Sequence, residues 1–328
     1  MAFVQAIAHA CARQGLDCAP LLQLAQIAPD HLGSLAQRVT AAQFEALSSA
    51  AMQQLDDEAL GWFSRPLPWG SYGMLARASL SAPTLGVALK RWCRHHGLLT
   101  RDLTLALHTQ GDEAYIALAE HRPPGGDGSL REFCHVSVLR NAHGLACWLI
   151  DSRIPLRGAE LGFAAPSHSD AYHVLFDGPC HFDAAQSAIH FDARYLALPV
   201  KRDEAAMRQM LQRALPIQVR PYRRDRLLVQ RVRQLLLTQP QDTRNADDLA
   251  RLLNTSARSL HRQLKDEGAT LQALKDEVRR ERALTLLQRT RKPIKQVAEA
   301  AGFKNEKSFI RAFRGWTGMA PGEWRTQA

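Results

Sequence analysis

The sequence predicts an α+β N-terminal domain followed by an all-α domain of about seven helices with two helix-turn-helix units. The length of 328 residues suggests two domains on size alone. Candidate strands, with alternating apolar residues, lie between residues 102 and 191, whereas the last hundred residues have helical periodicity throughout. Charge divides the chain in the same way: residues 221–328 hold 23 Lys/Arg against 12 Asp/Glu, and residues 1–220 hold 19 against 20.

A basic domain beside a nearly neutral one indicates that one end of the chain binds a polyanion. Double-stranded DNA is the leading candidate, and an anionic membrane surface is the alternative. We predict a first domain at residues 1–213, a linker at 214–224 and a DNA-binding domain at 225–328.

The composition, 46% hydrophobic and 23% charged, is that of a soluble globular protein. No stretch approaches the ~18 consecutive apolar residues that a membrane helix needs, so we expect no membrane partner. The N-terminus lacks the basic segment of a signal peptide. The six cysteines form no Cys-x-x-Cys pair, which favours reduced thiols and a cytoplasmic location.

Local patterns place the elements of the first domain. Apolar residues at helical spacing predict helices over Ala2–Ala12, Thr40–Leu55, Thr84–His96, Leu130–Ile150 and around Asp203–Ala214. Strands are predicted over Asp102–His108, Glu113–Ala119, near Glu160–Ala164 and over Ala188–Phe191, the first two forming a hairpin around Gly111-Asp112. The Pro- and Gly-rich stretch Pro66–Gly73 is predicted to be a loop.

An internal repeat organises the basic domain. A helix with Leu249-Ala250 breaks at Asn254-Thr255, and 48 residues later a helix with Val297-Ala298 breaks at Gly302. A second helix follows each break, which is the pattern of a helix-turn-helix. Between the copies, Leu271–Leu287 is a long helix whose basic residues, Arg279, Arg280, Arg282 and Arg289, are predicted to be exposed.

In a helix-turn-helix the second helix enters the major groove and presents its early residues to base edges. Two such helices on one chain could occupy successive grooves, roughly 34 Å apart. We therefore predict DNA contacts from residues of both second helices: Ser256, Arg258, Ser259, His261 and Arg262, and Asn305, Glu306, Lys307, Ser308 and Arg311.

A family resemblance covers about the last hundred residues. Its residues are Ile294, Val297-Ala298, Gly302-Phe303, Ser308-Phe309, Ala312-Phe313-Arg314, Thr317–Pro321 and Trp324-Arg325. This run resembles the AraC/XylS family of bacterial transcription regulators, although Asn305-Glu306-Lys307 departs from the family's usual residues. The resemblance implies a regulator, most simply an activator, that binds operator or promoter DNA and recruits RNA polymerase.

The first domain also resembles part of this family. The segments are Leu75–Leu89, Phe176–Phe182 and Ile189–Phe191. They are similar to the arabinose-binding-like sensor domain of regulators in the ornithine-utilisation branch, which implies a small-molecule effector and a homodimer. Five residues are candidates to line an effector pocket, with core packing as the alternative for each: Trp69, Tyr72, Trp92, His135 and Arg140.

Two other patterns suggest chemistry. Cys93, His95 and His96 lie too close together on one helix to bind one metal ion. Pro179-Cys180-His181 is similar to the core of alkyl-transfer repair proteins, but Phe182 stands where that motif needs Arg. We expect no catalytic residue, metal or cofactor. The alternative is a DNA-binding protein whose first domain binds a protein partner or transfers an alkyl group.

Overall fold

The structure is a computed structural model that describes residues 1–33, 37–124, 128–212, 214, 227–243 and 245–327. The chain divides into two compact units, Met1–Asp225 and Arg226–Ala328, called here the first and second units. The predicted linker, 214–224, lies outside the described residues except for residue 214, and the predicted domain bounds stay predictions. Within the described residues no helix is both long and apolar enough to cross a membrane.

The first unit combines helices with one sheet, as predicted. Its helices are α1 Ala2–Arg13, α2 Ala19–Leu24, α3 Ala41–Leu55, α4 Ser71–Leu80, α5 Leu85–Leu99, α6 Ser129–Ile150, α7 Tyr172–Leu175 and α8 Glu204–Leu211. Its strands are β1 Leu103–Gln110, β2 Glu113–Glu120, β3 Leu156–Glu160, β4 Cys180–His181 and β5 Ser187–Asp192. The order across the sheet is β1-β2-β5-β3-β4, with only β3 and β4 parallel.

The predicted hairpin is confirmed. Strands β1 and β2 pair in register from Leu103 opposite Glu120 to Gln110 opposite Glu113. Gly111 takes a φ of +61° in the turn, a backbone conformation that glycine adopts without steric cost. The predicted start of the helix at Thr40 is also confirmed. The Thr40 hydroxyl accepts from the Gln43 N–H in a capping box.

Helix α6 forms the centre of this unit. Of its 22 residues, 18 are buried, because it contacts α1, α5, β2 and β5. Its long apolar run therefore reflects burial on several sides and not a membrane segment. The inner face of the sheet supplies residues such as Ile116, Ile189 and Phe191 to the same core.

Two local predictions were wrong, and one strand was not predicted. Pro66–Gly73 is not all loop, because α4 begins at Ser71, where the Glu58 carboxylate accepts from the Gly70 and Tyr72 N–H groups at 2.7 and 2.6 Å. The strand expected near Glu160–Ala164 is Leu156–Glu160, since the chain leaves the sheet at Gly162, whose N–H donates to Ser187 Oγ. The short strand β4 was not predicted at all.

The second unit is all helical in its described part, as predicted. Its helices are α9 Leu227–Thr238, α10 Ala246–Leu252, α11 Ala257–Asp266, α12 Leu271–Arg289, α13 Ile294–Ala300, α14 Glu306–Thr317 and α15 Pro321–Gln327. Two apolar clusters form its core, and α12 contributes to both, with Leu271, Leu274 and Val278 in the first and Ala283 and Leu287 in the second. Each helix-turn-helix therefore has its own core, and α12 joins them.

Candidate DNA-binding surface and sensor cavity

The two helix-turn-helix units have matching turns. Asn254 and Gly302, 48 residues apart, both take positive φ values, +51° and +84°. The Thr255 N–H donates to the Ala250 carbonyl, and the Phe303 N–H donates to the Ala298 carbonyl, each at 2.9 Å. The second helices begin after Ser256 and Asn305, one residue further apart, so the second turn is one residue longer.

Helix α11 presents one basic face. Leu260 and Leu264 are fully buried, whereas Arg258, His261 and Arg262 are exposed on the opposite side at helical spacing. Ser256 is the N-cap, and its hydroxyl accepts from the Ser259 N–H at 3.1 Å and lies 3.0 Å from Ser259 Oγ. The two serines are thus engaged in capping the start of the helix, and the three basic side chains are available to a ligand.

Helix α14 repeats this arrangement. Phe309 and Phe313 are fully buried, and Lys307 and Arg311, one turn apart, are exposed on the other side. Asn305 is the N-cap, with its side-chain oxygen accepting from the Ser308 N–H at 2.8 Å. Glu306 is half-buried at the flank of this face, and the Ser308 side chain is exposed.

The predicted exposure of the α12 arginines was partly wrong. Arg280 and Arg289 are exposed, but Arg279 lies over the Phe303 ring at 5.2 Å and Arg282 donates to the Leu237 carbonyl at 3.0 Å. The partners of the last two come from distant parts of the chain, so helical spacing alone gave no sign of them.

The five candidate effector residues have different neighbours. Tyr72 and Trp92 are in edge-to-face contact, 5.5 Å between ring centroids, and Trp69 is 49% exposed. His135, on α6, is hydrogen-bonded to Ser187 and Glu120, and Arg140 contacts His143 on another face of α6. Their role in effector binding stays a prediction.

None of those five residues lines either of two cavities in the described part of the first unit. A cavity of about 230 Å³ lies between the end of α1 and the segment 57–66, with Arg13, Gln14 and Asp57 in its wall. A larger one, of about 470 Å³, lies between α7 and β4, and Asp170, Tyr172, Cys180 and Phe182 are in its wall.

Cys180 and Cys93, the cysteines of the two motifs, lack the features of a reactive site. Burial raises the pKa of the half-buried Cys180 thiol, whose sulfur lies 3.8 Å from the Gly178 carbonyl oxygen. A raised pKa disfavours the thiolate, which is the nucleophilic form. Burial also raises the pKa of Cys93 to about 12, and the described residues contain no group of three or more metal-ligating side chains.

A sheet-and-helix unit followed by two helix-turn-helix units defines a DNA-binding regulator with a separate sensor domain. The comparisons agree. Residues 15–200 match the family described as the arabinose-binding domain of AraC transcription regulators, and residues 249–327 match a helix-turn-helix domain. The chain belongs to the AraC family of transcription regulators. The resemblance seen in the sequence is thereby confirmed.

The similar proteins are regulators as well. The chain is 29% identical over 328 residues to the ornithine utilization regulator of Pseudomonas aeruginosa, covering 99% of this chain and 95% of that one. It is 25% identical over 274 residues to the regulator VqsM of the same organism, covering 77% and 79%. The crystal structure of the regulator CdpR from Pseudomonas aeruginosa aligns with 100% of this chain and 98% of that chain, at 23% identity and a TM-score of 0.36.

Proposed function

We propose that this protein activates transcription by placing α11 and α14 in successive major grooves of its operator, under the control of a small molecule bound by the first unit. The observation that carries the proposal is the pair of basic faces, each on a second helix and each opposite a buried apolar face. Helix α12, with 19 residues, is about 28 Å long, which suits two grooves separated by roughly 34 Å.

Within the predicted contact set we assign base or phosphate contacts first to the exposed basic residues: Arg258, His261, Arg262, Lys307 and Arg311. Ser256 and Asn305 act through their capping hydrogen bonds and place the first turn of each helix against the DNA. Ser259, Glu306 and Ser308 lie at the same helix starts and complete the proposed surface.

Footprinting of the full chain on its operator at several salt concentrations tests the assignment. We expect Arg262→Ala to weaken protection of one half-site and Arg311→Ala to weaken protection of the other. Each substitution should cost about 1–3 kcal/mol if the arginine contacts a base. If both variants leave sequence-specific protection unchanged, the assignment of α11 and α14 as recognition helices is wrong.

Lys265→Ala is the matched control. Lys265 is exposed and basic, and it lies near the end of α11, away from the residues that start the helix. Its removal should weaken binding to operator and unrelated DNA equally, because a phosphate contact carries no sequence information.

The same proposal includes a homodimer, recruitment of RNA polymerase and a cytoplasmic location, and it assigns no catalytic role to the first unit. The relatives are named as regulators, and the Cys180 thiol is not activated. Light scattering of the full chain tests the dimer. A thermal-shift screen of the full chain against amines, amino acids and fatty acids tests the effector, since a ligand that binds the folded state raises the melting temperature.

A further inference from the structure

We infer that Cys11 and Cys18 are a redox-active thiol pair, which a hydroperoxide converts to a disulfide with Cys18 reacting first. Both side chains are free thiols, and they lie at the junction between α1 and α2. The inference concerns chemistry within the first unit, so it depends on neither the proposed DNA contacts nor the proposed effector. It makes this unit a site of reversible oxidation.

The turn between α1 and α2 returns the chain to Cys11. Gly15 takes a φ of +74° just after α1 ends. The Gly15 N–H donates to the Ala12 carbonyl at 3.1 Å, and the Leu16 N–H donates to the Cys11 carbonyl at 2.9 Å. Cys18 follows Leu16 by two residues and directly precedes α2. Only a short segment therefore separates Cys18 from the backbone of Cys11.

The two thiols contact each other. They share a hydrogen bond, in which the Cys11 S–H donates to the Cys18 sulfur. The backbone around Cys18 is fixed on both sides. The Asp17 carboxylate accepts from the Ala19 N–H at 2.9 Å, and the Leu22 N–H donates to the Cys18 carbonyl at 3.0 Å. A disulfide bond is about 2.05 Å long, so the sulfur atoms need to approach by only roughly 2 Å to form one.

The surroundings of the two sulfur atoms differ. Cys11 is fully buried, and the shared hydrogen bond together with burial raises its pKa. Cys18 is partly exposed, and the hydrogen bond from Cys11 lowers its pKa, although burial and the charge of Asp17 oppose this shift. Because the thiolate is the nucleophilic form of cysteine, Cys18 is the sulfur that reacts with an oxidant from solution. Cys180 is also partly exposed, but burial raises its pKa.

The reaction balances with one hydroperoxide, R–O–O–H, as the oxidant. The Cys18 thiolate attacks the terminal oxygen, so that an S–O bond forms and the O–O bond breaks. The alkoxide that leaves takes up the proton that Cys18 had released and becomes ROH. The Cys11 sulfur then attacks the sulfur of the Cys18 sulfenic acid, an S–S bond forms, and hydroxide leaves with the Cys11 proton as water. The two thiols lose two electrons in total, and the peroxide gains them.

The disulfide would join two helices of the first unit. Helix α1 contacts α3 and α6, and α2 also contacts α3. A bond between the last turn of α1 and the residue before α2 restricts the movement of these helices relative to each other. In a reducing compartment such a disulfide is usually transient and serves redox sensing. We therefore expect a reversible modification and not a permanent cross-link.

Tryptic peptides provide a direct assay of the pair. Trypsin cleaves after Arg13 and Arg38, which places Cys11 in the peptide 1–13 and Cys18 in the peptide 14–38. We would treat the reduced full chain with hydrogen peroxide, alkylate the remaining thiols, digest the chain and measure the peptides by mass spectrometry. We expect the two peptides to become joined by a disulfide that dithiothreitol removes, severalfold faster than Cys180 is oxidised. No joined peptides, or oxidation of Cys180 at the same rate, would overturn the inference.

Substitutions test the order of the two steps. Cys11→Ser should prevent the disulfide and leave Cys18 as a sulfenic acid, which the reagent dimedone labels. Cys18→Ser should prevent the disulfide and leave the buried Cys11 reduced. Cys180→Ser is the control and should leave the rate of linkage unchanged. Dimedone labelling of Cys11 in the Cys18→Ser variant, or none of Cys18 in the Cys11→Ser variant, would contradict the assigned order. The wild-type assay decides whether the pair exists even if a variant does not fold.

Discussion

The substitution Arg279→Met tests whether Arg279 stabilises the fold or contacts DNA. The Arg279 guanidinium carbon lies 5.2 Å above the centre of the Phe303 ring, in the turn of the second helix-turn-helix. Phe303 in turn contacts Phe309 and Trp316, at 5.4 and 5.9 Å between ring centroids. We therefore expect Arg279 to hold this turn against α12, and its loss to loosen the start of α14.

The size of the effect follows from these contacts. The Arg279 side chain is 35% exposed, so its cation–π contact stabilises the turn by about 0.5–1 kcal/mol. The ion pair with Asp276, at 3.7 Å and three residues apart, adds about 0.3 kcal/mol. Methionine keeps a flexible apolar chain over the ring but removes both interactions. The expected loss is about 1 kcal/mol.

Hydrogen exchange of the full chain measures this loss where it occurs. One kcal/mol corresponds to about fivefold faster exchange in peptides from α13, the turn and the start of α14. Peptides from α10 and α11 should exchange as before, because the first helix-turn-helix has its own core. Arg280→Met is the matched control, since Arg280 is the next residue on α12 and is exposed.

A phosphate contact by Arg279 would give a different and recognisable result. If Arg279 instead contacts a phosphate, Arg279→Met leaves exchange unchanged and lowers the salt dependence of DNA binding by about one counterion. That pair of results would refute the structural role. Arg279→Lys adds a check, because lysine keeps the charge but loses the planar group that lies over the ring.

Three further predictions concern capping, pH and the thiol. Ser256→Ala and Asn305→Ala should each lower stability in urea unfolding by about 1 kcal/mol, and unchanged stability would contradict the capping roles. Burial lowers the pKa of His96 to about 4, so the unfolded state binds a proton at a higher pH than the folded state does. The stability that is fully present above pH 6.5 is therefore lost as the pH falls towards 4. His96→Met should reduce this loss by up to about 3 kcal/mol, and an unreduced loss would contradict the role of His96. Cys180→Ser should leave operator footprints unchanged, whereas loss of a methyl-transfer activity would support the enzyme alternative.

The parts of the fold that were predictable depend on neighbours in sequence. The hairpin was predictable because Gly111 supplies the turn and the flanking residues alternate. The helix-turn-helix repeat was predictable because Asn254 and Gly302 break both copies at the same point. In each of these turns the residues that decide the local structure lie within a few positions of one another.

The parts that were missed depend on distant residues. Helix α4 begins where it does because Glu58, 13 residues before Ser71, caps its first turn. Strand β4 is two residues long and exists because Gly178 allows the loop to lie against β3. The sequence pattern of one segment does not show which distant residues will contact that segment in the folded protein.

The choice of candidate effector residues was limited in the same way, because a binding site also depends on residues that are distant in sequence. Aromatic and buried polar residues suggested a pocket, but Trp92 is 2% exposed and His135 has its hydrogen bonds inside the unit. The larger of the two cavities is lined by Tyr172 and Phe182, at the segment Phe176–Phe182 that the sequence marked for its family resemblance and for Cys180. Residue type identifies what can bind a ligand, whereas the cavity depends on how separate segments meet.

Net charge predicts where the DNA-binding unit lies, but it does not predict which basic residues contact DNA. The excess of basic residues located the DNA-binding unit correctly, but an arginine reaches a backbone carbonyl as readily as a phosphate. Arg282 donates to the Leu237 carbonyl and Arg325 to the Lys292 carbonyl, so part of the excess charge holds the helices together. Substituting such residues should lower stability and leave the salt dependence of DNA binding nearly unchanged, whereas Arg262 and Arg311 should behave in the opposite way. The charge of this unit therefore serves two purposes, and only the contacts of each side chain separate them.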